Sequence, residues 1–576
     1  MTKEHPSSDS AGTPLTGHGG EQAIAAARAH GVKTLFTLSG AHVFPVYDAA
    51  VGGAEQAGDH PGDSVAAQRS GPMPMVDVRH EATAVFAAEA TARLTRTPGL
   101  AVVTAGPGVT NAVSGITSAS FNGAPLVVLG GRAPTNRWGS GALQEMDHPP
   151  LLEPITKAAF TISDPDATAD GMDEAFTLAS SPHRGPVFVD VPMDVLFTPG
   201  TTTVPTGSPP AVLPHDPDSV ARIAQLLAGA ERPVLVLGSD VWGGFAEEAA
   251  AQFVATTGIP TIANGMGRGV IPPGSPHLVT RARSLAFGHA DLVVVVGTPL
   301  DFRLGYGTFG GADRAPAAAV VHVVDSPGQI AGHTPLAASA SGDLSSIFNE
   351  LAQAFARQPH HRDWALWQEQ LRQTTRKAVA ADNELLTSNA DPIHPARIYG
   401  ELLPRLADDA VVIGDGGDFV SFAGKYVEPR RPGHWLDPGP FGCLGTGLGY
   451  AMAARIARPS SQVVLLMGDG AAGFSLMDVD TLIRHNLPVV IVVGNNAGWG
   501  LEKHPMRFLY GYDVAAELGP TRYDEVVRAL GGAGETVRQP DQIGPALDRA
   551  FTSGVPYLVN VMTDPDAAYP RSTTGI

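Results

Sequence analysis

The chain has a single cysteine, Cys443, which excludes an intrachain disulfide and a thiolate metal cluster. Basic residues are scarce: 38 Lys and Arg stand against 57 Asp and Glu, a formal net charge of −19. A surface of that sign argues against nucleic acid and anionic membrane as partners, although a local group of arginines can still seat a phosphorylated ligand. No apolar run is long enough to cross a bilayer, and Met1 to Gly20, rich in Ser, Thr, Gly and Pro, lacks the apolar segment of a secretion signal. A cytoplasmic protein is the expectation. Short repeats are missing, as are low-complexity tracts beyond the N-terminal tail.

What remains is a globular pattern. A chain of 576 residues, 43% hydrophobic, is too long for one core, so several domains are expected. Short Val/Leu/Ile runs alternate with Ala-rich amphipathic stretches in three blocks. The first has runs at Leu35 to Leu38, Ala101 to Thr104, Leu126 to Leu129 and Val187 to Val189; the second at Val234 to Leu237, Leu292 to Val296 and Val320 to Val324; the third at Val411 to Ile413, Val463 to Met467, Val489 to Val493 and Leu558 to Val561. Pro-rich Thr201 to Pro217 and polar Gln358 to Arg362 separate them. Such alternation predicts an α/β protein of three Rossmann-like domains with mostly parallel sheets and ligand sites at the C-terminal strand edges. The expected boundaries are a flexible tail over 1–20, domains over 21–200, 215–357 and 391–565, and a tail over 566–576 that serves as a candidate lid.

The densest chemistry lies in the third block. Gly468-Asp469-Gly470 follows one apolar run and Asn495-Asn496 follows the next, with Asp469 and Asn496 27 positions apart. Alone, either motif is an ordinary turn. Two buried parallel strands joined by a crossover helix, predicted over Met477 to His485, bring both to one sheet edge. There a carboxylate and an amide oxygen can share a hard cation such as Mg²⁺.

This stretch resembles the signature of thiamine diphosphate-dependent enzymes. The resemblance implies that Asp469, Asn496 and the main-chain carbonyl of Gly498 hold Mg²⁺ on the cofactor diphosphate. Gly468, Gly470 and Ala471 would line the phosphates, and in Gly442-Cys443-Leu444-Gly445 the Leu444 side chain would wedge the cofactor rings into a bent form. Arg79-His80-Glu81 before an Ala-rich helix, followed by Thr104-Ala105-Gly106-Pro107-Gly108-Val109-Thr110-Asn111, is similar to the pyrimidine-binding domain of the same family. Glu81 then matches the glutamate that hydrogen-bonds ring N1′ and turns the cofactor's own amino group into a base for C2–H. A glutamate in that position is otherwise a plain dipole partner at a helix start.

Further catalytic candidates rest on the same likeness. Gly40-Ala41-His42 resembles the substrate-facing turn of benzaldehyde lyase, and Leu143-Gln144-Glu145 resembles the stretch carrying the active-site glutamine of acetohydroxyacid synthases and 2-hydroxyacyl-CoA lyases. Glu502, six positions beyond Asn496, resembles the catalytic glutamate of pyruvate decarboxylases. The middle block resembles that of 2-hydroxyacyl-CoA lyases and oxalyl-CoA decarboxylases, which implies CoA or ADP there. Arg268, Arg283 and Ser284 are the candidate phosphate contacts and Asp325 the candidate ribose acceptor. Asp301-Phe302-Arg303 departs from the lyases and lacks the Arg-Phe-Asp-Asp-Arg run of flavin-binding synthases, so FAD is not expected.

The reading that follows is a thiamine diphosphate- and Mg²⁺-dependent lyase cleaving 2-hydroxyacyl-CoA to formyl-CoA and an aldehyde or ketone, with Glu502 or His42 taking the hydroxyl proton. The alternative is an acetolactate synthase-like carboligase acting on 2-keto acids, and a third reading is a non-catalytic subunit. The resemblance also implies a homodimer at least, and commonly a homotetramer.

Overall fold

The computed structural model describes residues 13–52, 72–207, 210–314, 316–360 and 362–570. These form two compact units, one running to residue 210 without 93–96 and 121–123, the other comprising those short pieces and everything from 211 onward.

Among the described residues the first unit contains eight strands: β1 Thr13–His18, β2 Leu35–Thr37, β3 Met75–Asp77, β4 Gly99–Val103, β5 Leu126–Arg132, β6 Ala158–Thr161, β7 Pro186–Pro192 and β8 Pro199–Val204. Six of them make a parallel sheet in the order β3-β2-β4-β5-β7-β6. The central strands β4, β5 and β7 are buried along almost their whole length, which is why they read as continuous apolar runs. Strands β1 and β8 form a separate antiparallel ribbon, with Thr13 opposite Val204 and His18 opposite Pro199. This corrects the expected flexible tail over its residues 13–20. The strand pairs along its full length, and a capping box between His18 and Glu21 starts the helix Gly19–Ala29 directly after it. Residues 1–12 lie outside the described residues.

The second unit holds two parallel sheets. The central one has β9 Pro233–Leu237, β10 Thr261–Ala263, β11 Leu292–Val296, β12 Ala319–Val324 and β13 Ala338–Ser341, in the order β10-β9-β11-β12-β13. The C-terminal one has β14 Val411–Asp415, β15 Trp435–Leu436, β16 Val463–Gly468, β17 Val490–Asn495, β18 Ala533–Val537 and β19 Tyr557–Met562, in the order β15-β14-β16-β17-β19-β18. The protein is therefore an α/β chain built on three Rossmann-like sheets. Strand β16 is enclosed from Val463 to Met467, so truncating Leu465 to Ala is worth roughly 2–5 kcal/mol of stability. Among the described residues no helix is long and apolar enough to cross a membrane.

One crossover differs from expectation. In place of a single helix over Met477 to His485, the chain turns helical at once over Asp469–Ser475, tightens into a 3-10 turn at Leu476–Asp478 and resumes as Val479–Arg484. Small residues after Asp469 allow the early start, and its carboxylate complements the helix dipole. The apolar periodicity marked only the second half of the connection.

Candidate active site

Strands β16 and β17 pair in register, Gly468 beside Gly494, so the residues that follow them emerge side by side. Asp469, almost fully buried, is the first residue of its helix. The Gly498 amide lies 3.1 Å from Asp469 Oδ2 and 3.2 Å from Asn496 Oδ1, so the two candidate metal ligands converge on one N–H. The loop between is fixed by Trp499 donating to the Ala516 carbonyl at 2.8 Å, and by the Tyr523 hydroxyl donating to the Asp469 carbonyl at 3.0 Å. Burial pushes the Asp469 carboxyl up to about 6, against the pull of main-chain amides from Gly470 and Gly498. A buried carboxylate and an amide oxygen at one strand edge form a donor set suited to a hard cation.

Around this pair lies a cavity of about 250 Å³ within the second unit, lined by Gly442, Leu444, Gly468, Asp469, Gly470, Ala471, Asn496, Gly498 and Glu502 among others. The C-terminal sheet thus gathers every third-block residue singled out from sequence. Gly470 must be glycine for a local reason: a Cβ there would come within 2.4 Å of the Trp499 ring. Gly442 has φ of +69° and open space beside it, so the chain leaves room in the cavity at the point where Leu444 enters. Glu502 is solvent-exposed in the first turn of the helix Gly500–Tyr510, whereas the adjacent Lys503 is buried and paired with Glu517 at 2.7 Å.

Sequence reasoning missed Asp415. This fully buried carboxylate ends β14 and accepts from Gly445 N–H at 3.1 Å and Gly447 N–H at 2.8 Å, fixing the loop that carries Leu444. Burial pushes it up to about 7, with those two amides working against the shift. The signal was present, because Gly414-Asp415-Gly416 repeats after β14 the Gly-Asp-Gly pattern that follows β16. The last described residues pack back on this edge: Asp566 pairs with Arg507 at 2.8 Å, Ala567 lines the cavity, and the Tyr569 amide donates to Asp418 at 3.0 Å. Residues 571–576 of the expected lid lie outside the described residues.

In the first unit, Glu81 opens the helix Glu81–Thr95 and is buried, with Asn111 Nδ2 donating to its Oε2 at 3.0 Å. His42 Nδ1 lies 3.1 Å from Thr104 Oγ1, and that hydroxyl donates to Gln144 Oε1 at 3.5 Å. With its oxygen thus engaged, the Gln144 amide keeps its NH₂ as a donor. Desolvation holds His42 below the ordinary imidazole value, and a main-chain contact with Leu143 opposes this. The second unit holds none of these side chains.

The middle-block candidates fare differently from one another. Arg268 is not a free phosphate contact: its two terminal nitrogens donate to the carbonyls of Val427 at 2.8 Å and Gly424 at 2.5 Å, and its guanidinium lies 4.7 Å from the Trp435 ring centre. Main-chain carbonyls of the C-terminal domain have claimed the fork that the sequence offered to phosphate. Arg283 donates to the Arg303 carbonyl and is pulled down to about 10 by burial and then by the nearby Arg268 and Arg303 charges. Arg303 is itself held by Asp301, with Nη2 2.7 Å from Oδ2. Ser284 is exposed beside Arg283, and Asp325 is buried just beyond β12.

Residues 17–151 match the model of the thiamine pyrophosphate enzyme N-terminal TPP binding domain, 220–351 that of the central domain and 415–561 that of the C-terminal TPP binding domain. The chain is 47% identical over 569 residues to a "Probable acetolactate synthase" of Mycobacterium bovis and to "Acetolactate synthase large subunit IlvG" of Mycobacterium tuberculosis, covering 96% of this chain and 97% of each relative. It is 33% identical over 595 residues to "2-hydroxyacyl-CoA lyase 2" of Homo sapiens, covering 95% of this chain and 90% of the relative. With both halves of the cofactor-binding machinery and the domain between them matched along nearly its whole length, the chain belongs to the thiamine pyrophosphate enzyme family.

Proposed function

We propose that the chain is a carboligase acting on 2-keto acids, of the acetolactate synthase kind, with thiamine diphosphate and Mg²⁺ as its cofactors. The observation that carries this choice over the lyase reading is the extent of likeness to the two mycobacterial relatives, joined to the commitment of Arg268 to main-chain carbonyls. When bound, thiamine diphosphate supplies a nucleophilic carbon and a sink for the electron pair of the broken C–C bond.

The chain's own residues fit that group and divide the work. Asp469 and Asn496, already convergent on one amide, would hold the cation, with the Gly498 carbonyl as a third oxygen. Leu444, set by Asp415 through the amides beside it, would shape the cofactor pocket. Glu81, steadied by Asn111, would share a proton with the pyrimidine ring. Gln144 would donate its amide N–H to the substrate oxygen on which negative charge develops. Glu502, exposed at the cavity wall, would pass a proton to the keto oxygen of the substrate as negative charge develops there. Assembly as at least a homodimer belongs to the same reading.

A second reading, cleavage of 2-hydroxyacyl-CoA, is favoured by a different observation: Arg283 is a desolvated guanidinium beside the Arg268 and Arg303 charges and would gain from a phosphate. The two are separated by giving the holoenzyme pyruvate and a short 2-hydroxyacyl-CoA under identical conditions. The proposal expects kcat/KM for pyruvate to exceed that for the thioester by about tenfold or more, a margin of roughly 1.4 kcal/mol. Formyl-CoA release as the faster reaction would transfer the assignment to the lyase.

A further inference from the structure

We propose that His148 is a positioning residue that sets Glu81 and Gln144 together through one turn of chain, the turn at Gly106. This rests on the reading of Glu81 given above.

His148 is fully buried, with Nδ1 2.9 Å from Asp190 Oδ2 and Nε2 3.0 Å from the Gly106 amide nitrogen. A main-chain N–H can only donate, so Nε2 must present its lone pair and the ring proton must sit on Nδ1, directed at Asp190. The imidazole is thereby fixed in one neutral tautomer, as a bridge from β7 to the turn. Asp190, also fully buried, is held in turn by Arg132 Nη1 at 2.8 Å and the Thr161 hydroxyl at 2.5 Å. The anchor is therefore a side chain that β5, β6 and β7 all grip.

The turn it holds touches both catalytic candidates. Gly106 has φ of +57°, and a Cβ on it would come within 2.9 Å of Gln144 Cβ, so the two backbones are in close contact. Thr104, two residues earlier, donates to the Gln144 oxygen. The helix Pro107–Phe121 starts at the next residue, and Asn111 in its second turn donates to Glu81. Removing the imidazole acceptor leaves the Gly106 amide buried without a partner, a penalty that the turn can relieve only by moving. Both groups would move with it.

The test measures exchange of the C2 proton of bound thiamine diphosphate into D₂O, alongside kcat, KM and Tm, in holoenzyme carrying His148→Leu, His148→Asn, His148→Gln or Glu81→Ala. The Gln amide can both accept from Gly106 and donate to Asp190, the shorter Asn can complete only one of those bonds, and Leu can make neither. Leu and Asn are expected to slow C2 exchange roughly 10- to 100-fold, while Gln restores most of the rate. If Leu does not fold, Asn decides. Wild-type exchange in Leu or Asn, with only Tm lowered, would overturn the assignment, as would a Gln variant as slow as Leu. Wild-type exchange in Glu81→Ala would instead remove the reading of Glu81 itself, and slow exchange there with normal His148 variants would remove only the present inference.

Discussion

The central and C-terminal sheets of the second unit share a parallel architecture yet load their strand edges with opposite charge. At the end of β14 and just beyond β16 and β17 the chain places Asp415, Asp469 and Asn496, whose oxygens are held by main-chain amides. Beyond β10 and β11 it places Arg268, Arg283 and Arg303, guanidiniums held by carbonyls or by Asp301. Architecture fixes where a ligand can sit, whereas the groups set on the edge decide its sign. The C-terminal edge is suited to a cation and the phosphates that accompany it. The central edge spends one arginine on joining the two domains and keeps a second, Arg283, in a desolvated cationic cluster.

The largest expected effect comes from the C-terminal edge. Asp469→Ala should lower kcat by about 100-fold or more and weaken cofactor retention, read by turnover and by titration of thiamine diphosphate with Mg²⁺. Near-normal retention would place the cation elsewhere and erase the contrast between the sheets. At the central edge the two arginines should separate. Arg283→Ala is expected to raise KM for a CoA thioester about tenfold while leaving that for a 2-keto acid unchanged. Arg268→Ala should alter neither KM but lower Tm by roughly 3–8 °C, since it removes two charge-assisted hydrogen bonds between domains. A substrate effect at Arg268 would return it to the ligand.

The smallest effect concerns Asp415. Its carboxyl titrates near 7 in the folded chain against an ordinary value of 3.8, so the folded state binds the proton more tightly. Stability from that proton is complete below about pH 4 and is lost as pH rises through about 7. Asp415→Asn stays neutral throughout, so its Tm relative to wild type should improve between pH 5 and about pH 7 and level off above. A flat or opposite trend would mean that the two glycine amides outweigh burial.

The sequence disclosed the interior of each sheet and concealed its borders. Strands β11, β16 and β17 are buried on both faces and spell out Val and Leu without interruption, so they can be read directly. Edge strands are short: β13 is Ala-Ser-Ala-Ser, β15 is two residues and β18 is Ala-Gly-Glu-Thr-Val, none with a run of bulky apolar residues to detect. The convergence of Asp469 and Asn496 was legible because these residues follow two such central strands. Asn111, His148 and Asp190 were not, since each acts through a partner far along the chain, 30 positions from Asn111 to Glu81 and 42 from Gly106 to His148. Arg268 misled for the same reason: a guanidinium after a glycine-rich turn suits phosphate, and only the fold shows that carbonyls some 156 to 159 positions away reach it first.

The β1–β8 ribbon has a practical consequence for dissection. Because Thr13 lies opposite Val204, two segments far apart in the first unit's chain lie side by side. Segments that close together are the usual requirement for circular permutation, so a short linker across them would permit new termini in an exposed loop of this unit.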